Sequence, residues 1–227
     1  MKHKTLILSF LLIISFCFGQ NDHLEPTKDF SQYDDVRKAY YENLFILLYS
    51  GFSEKPNVLY TSRPSFSAEY AFSVEKTGNK NYIILNKLSE NYWYASDRKS
   101  VKIITNKIKI NNDLYLKIGE LFELFIDQTK EKERIFETLP DGRVLEHLTV
   151  IVDGTGYSFS ITGKNGEIRT GITQSPHPRN KPMLSRFVKI CDDLCKIKTS
   201  KNIFEKNIFK EIELLINDIK KNESQPI

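Results

Sequence analysis

Cysteine, methionine and tryptophan are all scarce in this 227-residue chain, at 3, 2 and 1 residues. So few cysteines exclude a disulfide-dense scaffold, and ten glycines with eight prolines exclude a collagenous or low-complexity chain. Charge of one sign is also lacking, with 33 Lys+Arg against 29 Asp+Glu and a formal net charge of +4. Nucleic-acid binding usually announces itself as a strongly basic face, and this balance argues against it. No run is long enough to span a bilayer, which takes roughly 20 apolar helical residues. What remains is 40% apolar, 12% aromatic and 27% charged residues, the composition of an ordinary globular protein.

The N-terminus has the three-part layout of a secretory signal: Lys2 and Lys4, the apolar stretch Leu6–Phe18, then Cys17-Phe18-Gly19 ahead of Gln20. Cys17 and Gly19 are small enough for a peptidase, so cleavage is expected between Gly19 and Gln20, leaving an exported chain in the periplasm or the medium. A lipid anchor on Cys17 fits less well, because Phe16 stands where lipoprotein sites want a small residue. Losing Lys2 and Lys4 takes Lys+Arg from 33 to 31 against 29 acids, a nearly neutral mature chain. Membrane contact is expected only through the signal during export.

Periodicity predicts an α+β fold, with one domain over residues 34–221, an exposed leader over 20–33 and a flexible tail over 222–227. Val36, Tyr40, Leu44, Leu47 and Leu48 recur at helical spacing before Gly51. Phe66, Ala68, Tyr70, Phe72 and Val74 alternate with polar residues, and Thr77-Gly78-Asn79-Lys80 turns the chain into Tyr82–Leu88, a hairpin. A third strand is expected within Val101–Ile110. Leu114, Ile118, Leu121, Phe122 and Phe125 form one helical stripe that Asn111, Asn112 or Asp113 can cap. Lys130-Glu131-Lys132-Glu133-Arg134 reads as a solvated helix end. Three more strands are predicted at Leu148–Val152, Tyr157–Ile161 and Glu167–Thr173, then helices near Met183–Ile197 and Lys201–Lys221. Grouped strands favour antiparallel pairing, in one sheet or two built from two three-stranded runs, with the helices on one face.

Motifs for chemistry are sparse. Asp153-Gly154-Thr155-Gly156 has the wrong order for an aspartic protease and no second copy, and its residues suit a turn. His23, His147 and His177 lack metal-ligand spacing, there is no G-x-S-x-G elbow, and Gly163, Gly166 and Gly171 fit no phosphate-cradling pattern. No cofactor or metal is expected. Cys191 and Cys195, one helical turn apart, read as two small buried hydrophobes better than as a disulfide. Tyr92-Trp93-Tyr94 would form a sticky surface for a protein, peptide or glycan if exposed, and is expected to be core.

Pro64-Ser65-Phe66, Glu69-Tyr70, Asp153-Gly154-Thr155 with Tyr157 and Phe159, and Gly171 with Thr173, Ser175 and Pro176 form a pattern that resembles small, uncharacterised exported bacterial proteins of α+β type. Where those proteins carry an aromatic or histidine before the Ser-Pro, this chain has Gln174. The resemblance implies a fold and an export route and carries no activity. The functional expectation is therefore a non-enzymatic module that binds a protein or other partner in the bacterial envelope. Its candidate contact surface is the loop Thr173–Lys181, with Thr173, Ser175, His177, Arg179 and Lys181. The alternative is a hydrolase or transferase assembled in three dimensions around Asp153, Ser175 and His177.

Overall fold

The computed structural model describes residues 22–27, 33–132, 136–146, 153–197 and 202–223. Among the described residues, four helices and eight strands follow one another: α1 Asp35–Leu48, β1 Val58–Pro64, β2 Tyr70–Thr77, β3 Lys80–Leu88, β4 Ile103–Ile110, α2 Asn112–Asp127, β5 Phe136–Thr138, β6 Val144–Glu146, β7 Thr155–Thr162, β8 Ile168–Gln174, α3 Pro182–Leu194 and α4 Asn202–Glu223. Six strands form one antiparallel sheet in the order β4-β3-β2-β1-β7-β8, and β5 and β6 pair separately. The α+β class stands.

Strand β1 is a difference from the sequence reading, and it occupies the middle of the sheet between β2 and β7. Val58, Tyr60, Thr61 and Ser62 are all buried, because one face packs on the helices and Thr61 lies beside Tyr49 on the other, and such a run loses the alternation that marks a half-exposed strand. The first run therefore contains four strands rather than three. Leu148–Val152 lies outside the described residues.

One face of the sheet is closed by three helices. The apolar stripe of α2, with Leu114, Ile118, Leu121, Phe122 and Phe125, packs with Phe187 of α3 and Ile212 and Leu215 of α4 over Tyr60, Phe72, Phe159 and Ile161. Phe187 sits at the centre, stacked 4.2 Å from Phe125 and 4.6 Å from Phe159, with Phe122 edge-on at 5.0 Å. Asn111 caps α2 by accepting the Leu114 amide at 2.7 Å, while its own amide donates to Glu205 of α4 at 2.9 Å.

The fourth helix departs from the expectation of helices on one face. Tyr40, Leu44 and Leu48 of α1 pack on Ala71, Leu88, Tyr92 and Val101, which point the opposite way from Phe72 and Ile83. Asn86 of β3 fixes the helix end by donating to the carbonyls of Leu48 and Ser50, both at 2.8 Å. Val36, expected on the stripe, is 72% exposed, because the buried seam of α1 starts only at Tyr40.

The leader is also corrected. Leu24 is fully buried under Gly171, Glu25 exchanges two backbone hydrogen bonds of 2.8 Å with Ile172, and Asp22 accepts the amides of Met183 and Leu184 at 2.6 and 3.0 Å. Lys181, at the N-cap of α3, makes no side-chain capping bond, so a carboxylate from the start of the chain satisfies the helix instead. Among residues 22–27 the leader is thus a built part of the fold.

Candidate functional site

The antiparallel topology collects several connections at one end of the sheet: residues 65–69 between β1 and β2, 89–102 between β3 and β4, 153–154 before β7, and 175–181 between β8 and α3. The first two are tied by one amide. Asn91 Nδ2 donates to the carbonyls of Ser67 at 2.9 Å and Pro64 at 3.2 Å, while Oδ1 accepts the amides of Trp93 and Tyr94 at 3.0 and 3.2 Å. Arg98 grips the second loop from beneath. Its Nε and Nη2 donate to the carbonyls of Tyr92 and Trp93, and its guanidinium lies 5.5–5.7 Å from the ring centres of Tyr40, Tyr92 and Trp93.

These loops hold three rings out to solvent: Phe66 is 69%, Tyr94 62% and Trp93 45% exposed. Phe66 and Tyr94 are near-parallel, 6.2 Å apart at 12°, and Trp93 meets Tyr40 edge-on at 4.8 Å. The expected core therefore divides, with Tyr92 buried and its two neighbours outside. Phe66 also leaves the strand in which alternation placed it, since β2 begins at Tyr70. Under the platform, the buried carboxylate of Glu69 accepts the Tyr40 hydroxyl at 3.2 Å and the Tyr92 amide at 2.9 Å. Burial pushes its carboxyl above the ordinary glutamate range, opposed in part by those bonds.

From this platform an aromatic ladder runs down one side of α1. Tyr33, Tyr41, Phe45, Tyr49 and Phe52 follow at centroid steps of 5.6, 5.9, 5.3 and 6.1 Å, with neighbouring planes within 26°. Helical i,i+4 spacing puts Tyr41, Phe45 and Tyr49 in one row. The row stands beside the half of the sheet that α1 leaves uncovered, where register places Leu59, Thr61 and Arg63 of β1 against Ser160, Ser158 and Gly156 of β7. Tyr49 and Thr61 share a hydroxyl hydrogen bond of 2.9 Å. At the lower end a cavity of about 300 Å³ is lined by Tyr49, Phe52, Pro56, Leu59, Ser160 and Ile168, among others.

The residues singled out from sequence are placed differently. Thr173 is 4% exposed and belongs to the helix-covered side, so it offers no contact surface. Ser175, at φ 38°, accepts the Thr155 amide on its hydroxyl at 2.8 Å and donates its own amide to the Thr155 carbonyl at 3.0 Å. His177 is exposed, and its Nδ1 accepts the Arg179 amide at 3.2 Å. Lys181, placed in the candidate contact loop, is half-buried and paired with Glu25 at 3.5 Å, whereas Arg179 is exposed. Asp153 is exposed, and among the described residues no hydrogen bond joins it to Ser175 or His177. His147 lies outside the described residues.

Spacing also missed a polar row on the closed face. Tyr70, Ser62, Tyr157 and Thr173 are cross-strand neighbours over β2, β1, β7 and β8, and Asp192 of α3 accepts the hydroxyls of Tyr60 and Tyr70 on one oxygen, both at 2.7 Å. Burial raises the pKa of both phenols and keeps them as donors. Cys191 and Cys195 beside them are free thiols, pushed up first by burial and then by the Asp192 charge. This cluster joins α3 to the sheet.

No protein family, curated protein or solved structure matches this chain. Among the described residues, no group of three or more His, Cys, Asp or Glu is arranged to hold a metal ion, and no helix is long and apolar enough to cross a membrane.

Proposed function

We propose that this protein is an exported, non-enzymatic binding module of the bacterial envelope, and that its ligand is a glycan held on the Phe66, Trp93 and Tyr94 platform. The signal-like segment of residues 1–19 supports export. The observation that carries the binding reading is the rigid presentation of three exposed rings by Asn91 and Arg98. Exposed aromatics are unfavourable in water unless something covers them, and rigid rings lose little conformational entropy when it does. Loop carbonyls and the Asn91 amide border these rings, and the aromatic ladder continues from them along α1. That mixture matches a ligand whose own surface alternates C–H faces with hydroxyl edges, which is a sugar. A protein partner would need a broader apolar centre.

The test is isothermal titration of the chain, tagged at its C-terminus, against a panel of neutral and acidic envelope oligosaccharides. The variant Phe66→Ala/Trp93→Ala/Tyr94→Ala should bind at least roughly tenfold more weakly while melting at an unchanged temperature. Equal binding by wild type and variant, or binding to none of the panel, would overturn the reading. A protein partner has one observation in its favour, the exposed apolar residues Phe136, Val144 and Leu145 on the β5–β6 hairpin.

A further inference from the structure

Among the described residues, Arg63 has no counter-ion. Its Nε is buried and has no hydrogen-bond partner, its two terminal nitrogens are not enclosed, and no described carboxylate lies within ion-pairing distance of it. A buried, unpaired N–H is costly. Glu69 feels the Arg63 charge but gives its oxygens to Tyr40 and Tyr92.

The guanidinium is nonetheless fixed in place. It lies 5.3 Å from the ring centre of Tyr41 and 5.9 Å from that of Phe45, which hold it by cation–π attraction. On its other side is Gly156 of β7, the cross-strand partner of Arg63, where an added Cβ would stand 3.4 Å from Nη2. The guanidinium thus lies across the neighbouring strand, within van der Waals distance of Gly156. The same rings connect it to the platform, through steps of 5.0 Å from Tyr41 to Tyr40 and 4.8 Å from Tyr40 to Trp93. Two ring-to-ring steps thus join Arg63's neighbour Tyr41 to the exposed platform.

We infer that the glycan of this surface is acidic and that Arg63 reads its carboxylate, as in a uronic-acid residue, while the platform stacks the neighbouring sugars. This rests on the glycan reading above. The planar guanidinium presents its two terminal nitrogens as a fork that a carboxylate meets with two parallel hydrogen bonds, a geometry a lysine does not offer. A ligand carboxylate on the terminal nitrogens would supply the counter-ion that no described residue gives, while the enclosed Nε stays unpaired.

The experiment is titration of the full mature chain with tetragalacturonate and with its methyl ester, which keeps the sugar faces and removes the charge. Wild type should bind the acid roughly ten- to a hundredfold more tightly than the ester. Arg63→Gln should erase that preference, weakening acid binding far more than ester binding, and Arg63→Lys should restore only part of it. Should Arg63→Gln misfold by circular dichroism, the Arg63→Lys comparison decides alone. Equal binding of acid and ester by wild type, with both lost in the triple platform variant, would overturn the role of Arg63 and leave the glycan reading standing. An acid preference that survives in Arg63→Gln overturns it as well. Binding of neither probe nor of any panel oligosaccharide overturns both.

Discussion

The two faces of the sheet solve the same problem with different chemistry. On the closed face, aromatic rings from α2, α3 and the strands meet face-to-face and edge-on around Phe187, with three helices excluding water. On the other face a single helix covers part of the sheet, and the rings line up along α1 and out onto the loops, with Arg63 and Arg98 lying over them. Rings on the closed face hold elements together. Phe66, Trp93 and Tyr94, on the loops beyond the open face, are themselves held by Asn91 and Arg98 outside both core clusters. The difference separates rings on which the core depends from rings that the core leaves exposed.

That separation can be broken at its strongest point first. Phe187→Ala should cost about 3–5 kcal/mol, measured by chemical denaturation, because the surrounding rings cannot collapse into the space. Phe66→Ala on the open side should stay within about 0.5 kcal/mol of wild type, and comparable losses at the two positions would erase the distinction. Gly171→Ala comes next. Its Cβ would stand 2.8 and 2.9 Å from two carbons of Leu24 and 3.1 Å from Thr129 Oγ1, so the leader must shift, at about 1–3 kcal/mol. Protection of the Glu25 and Ile172 amides from hydrogen exchange should fall with it. The smallest effect concerns Glu69. Its carboxyl holds a proton more tightly folded than unfolded, so its contribution is fully present below the ordinary glutamate range and is lost as pH rises through the raised value. Glu69→Gln should flatten stability against pH in that window. An unchanged slope in thermal melts would show that burial of Glu69 does not penalise its charge.

Much of the closed face was legible in the sequence because amphipathic periodicity encodes it. Leu114, Ile118, Leu121, Phe122 and Phe125 announce α2, and the turn after Thr77 announces the β2–β3 hairpin. Strand β1 was not legible, since burial on both sides removes alternation; its only marks are a β-favouring Val-Leu-Tyr-Thr run bounded by Pro56 and Pro64. Phe66 misled because it continues the period-2 pattern of β2, while Asn91, 25 positions away in the chain, accounts for its loop. Nor does spacing place Arg63 between the rings of α1 and a glycine of β7. Contacts of that kind depend on which strands become neighbours, and no local pattern states it.

The docking of Leu24, Glu25 and Asp22 has a consequence in time. Thr27 bonds Thr170 across 143 residues, and Asp22 reaches Leu184 across 162. Contacts of such long range form slowly and require that β8 and the start of α3 already exist. On a ribosome, which makes the chain from its N-terminus, the edge of β8 and the first turn of α3 must be finished before residues 22–27 have anywhere to go. The earliest of these residues to be made are among the last to be placed.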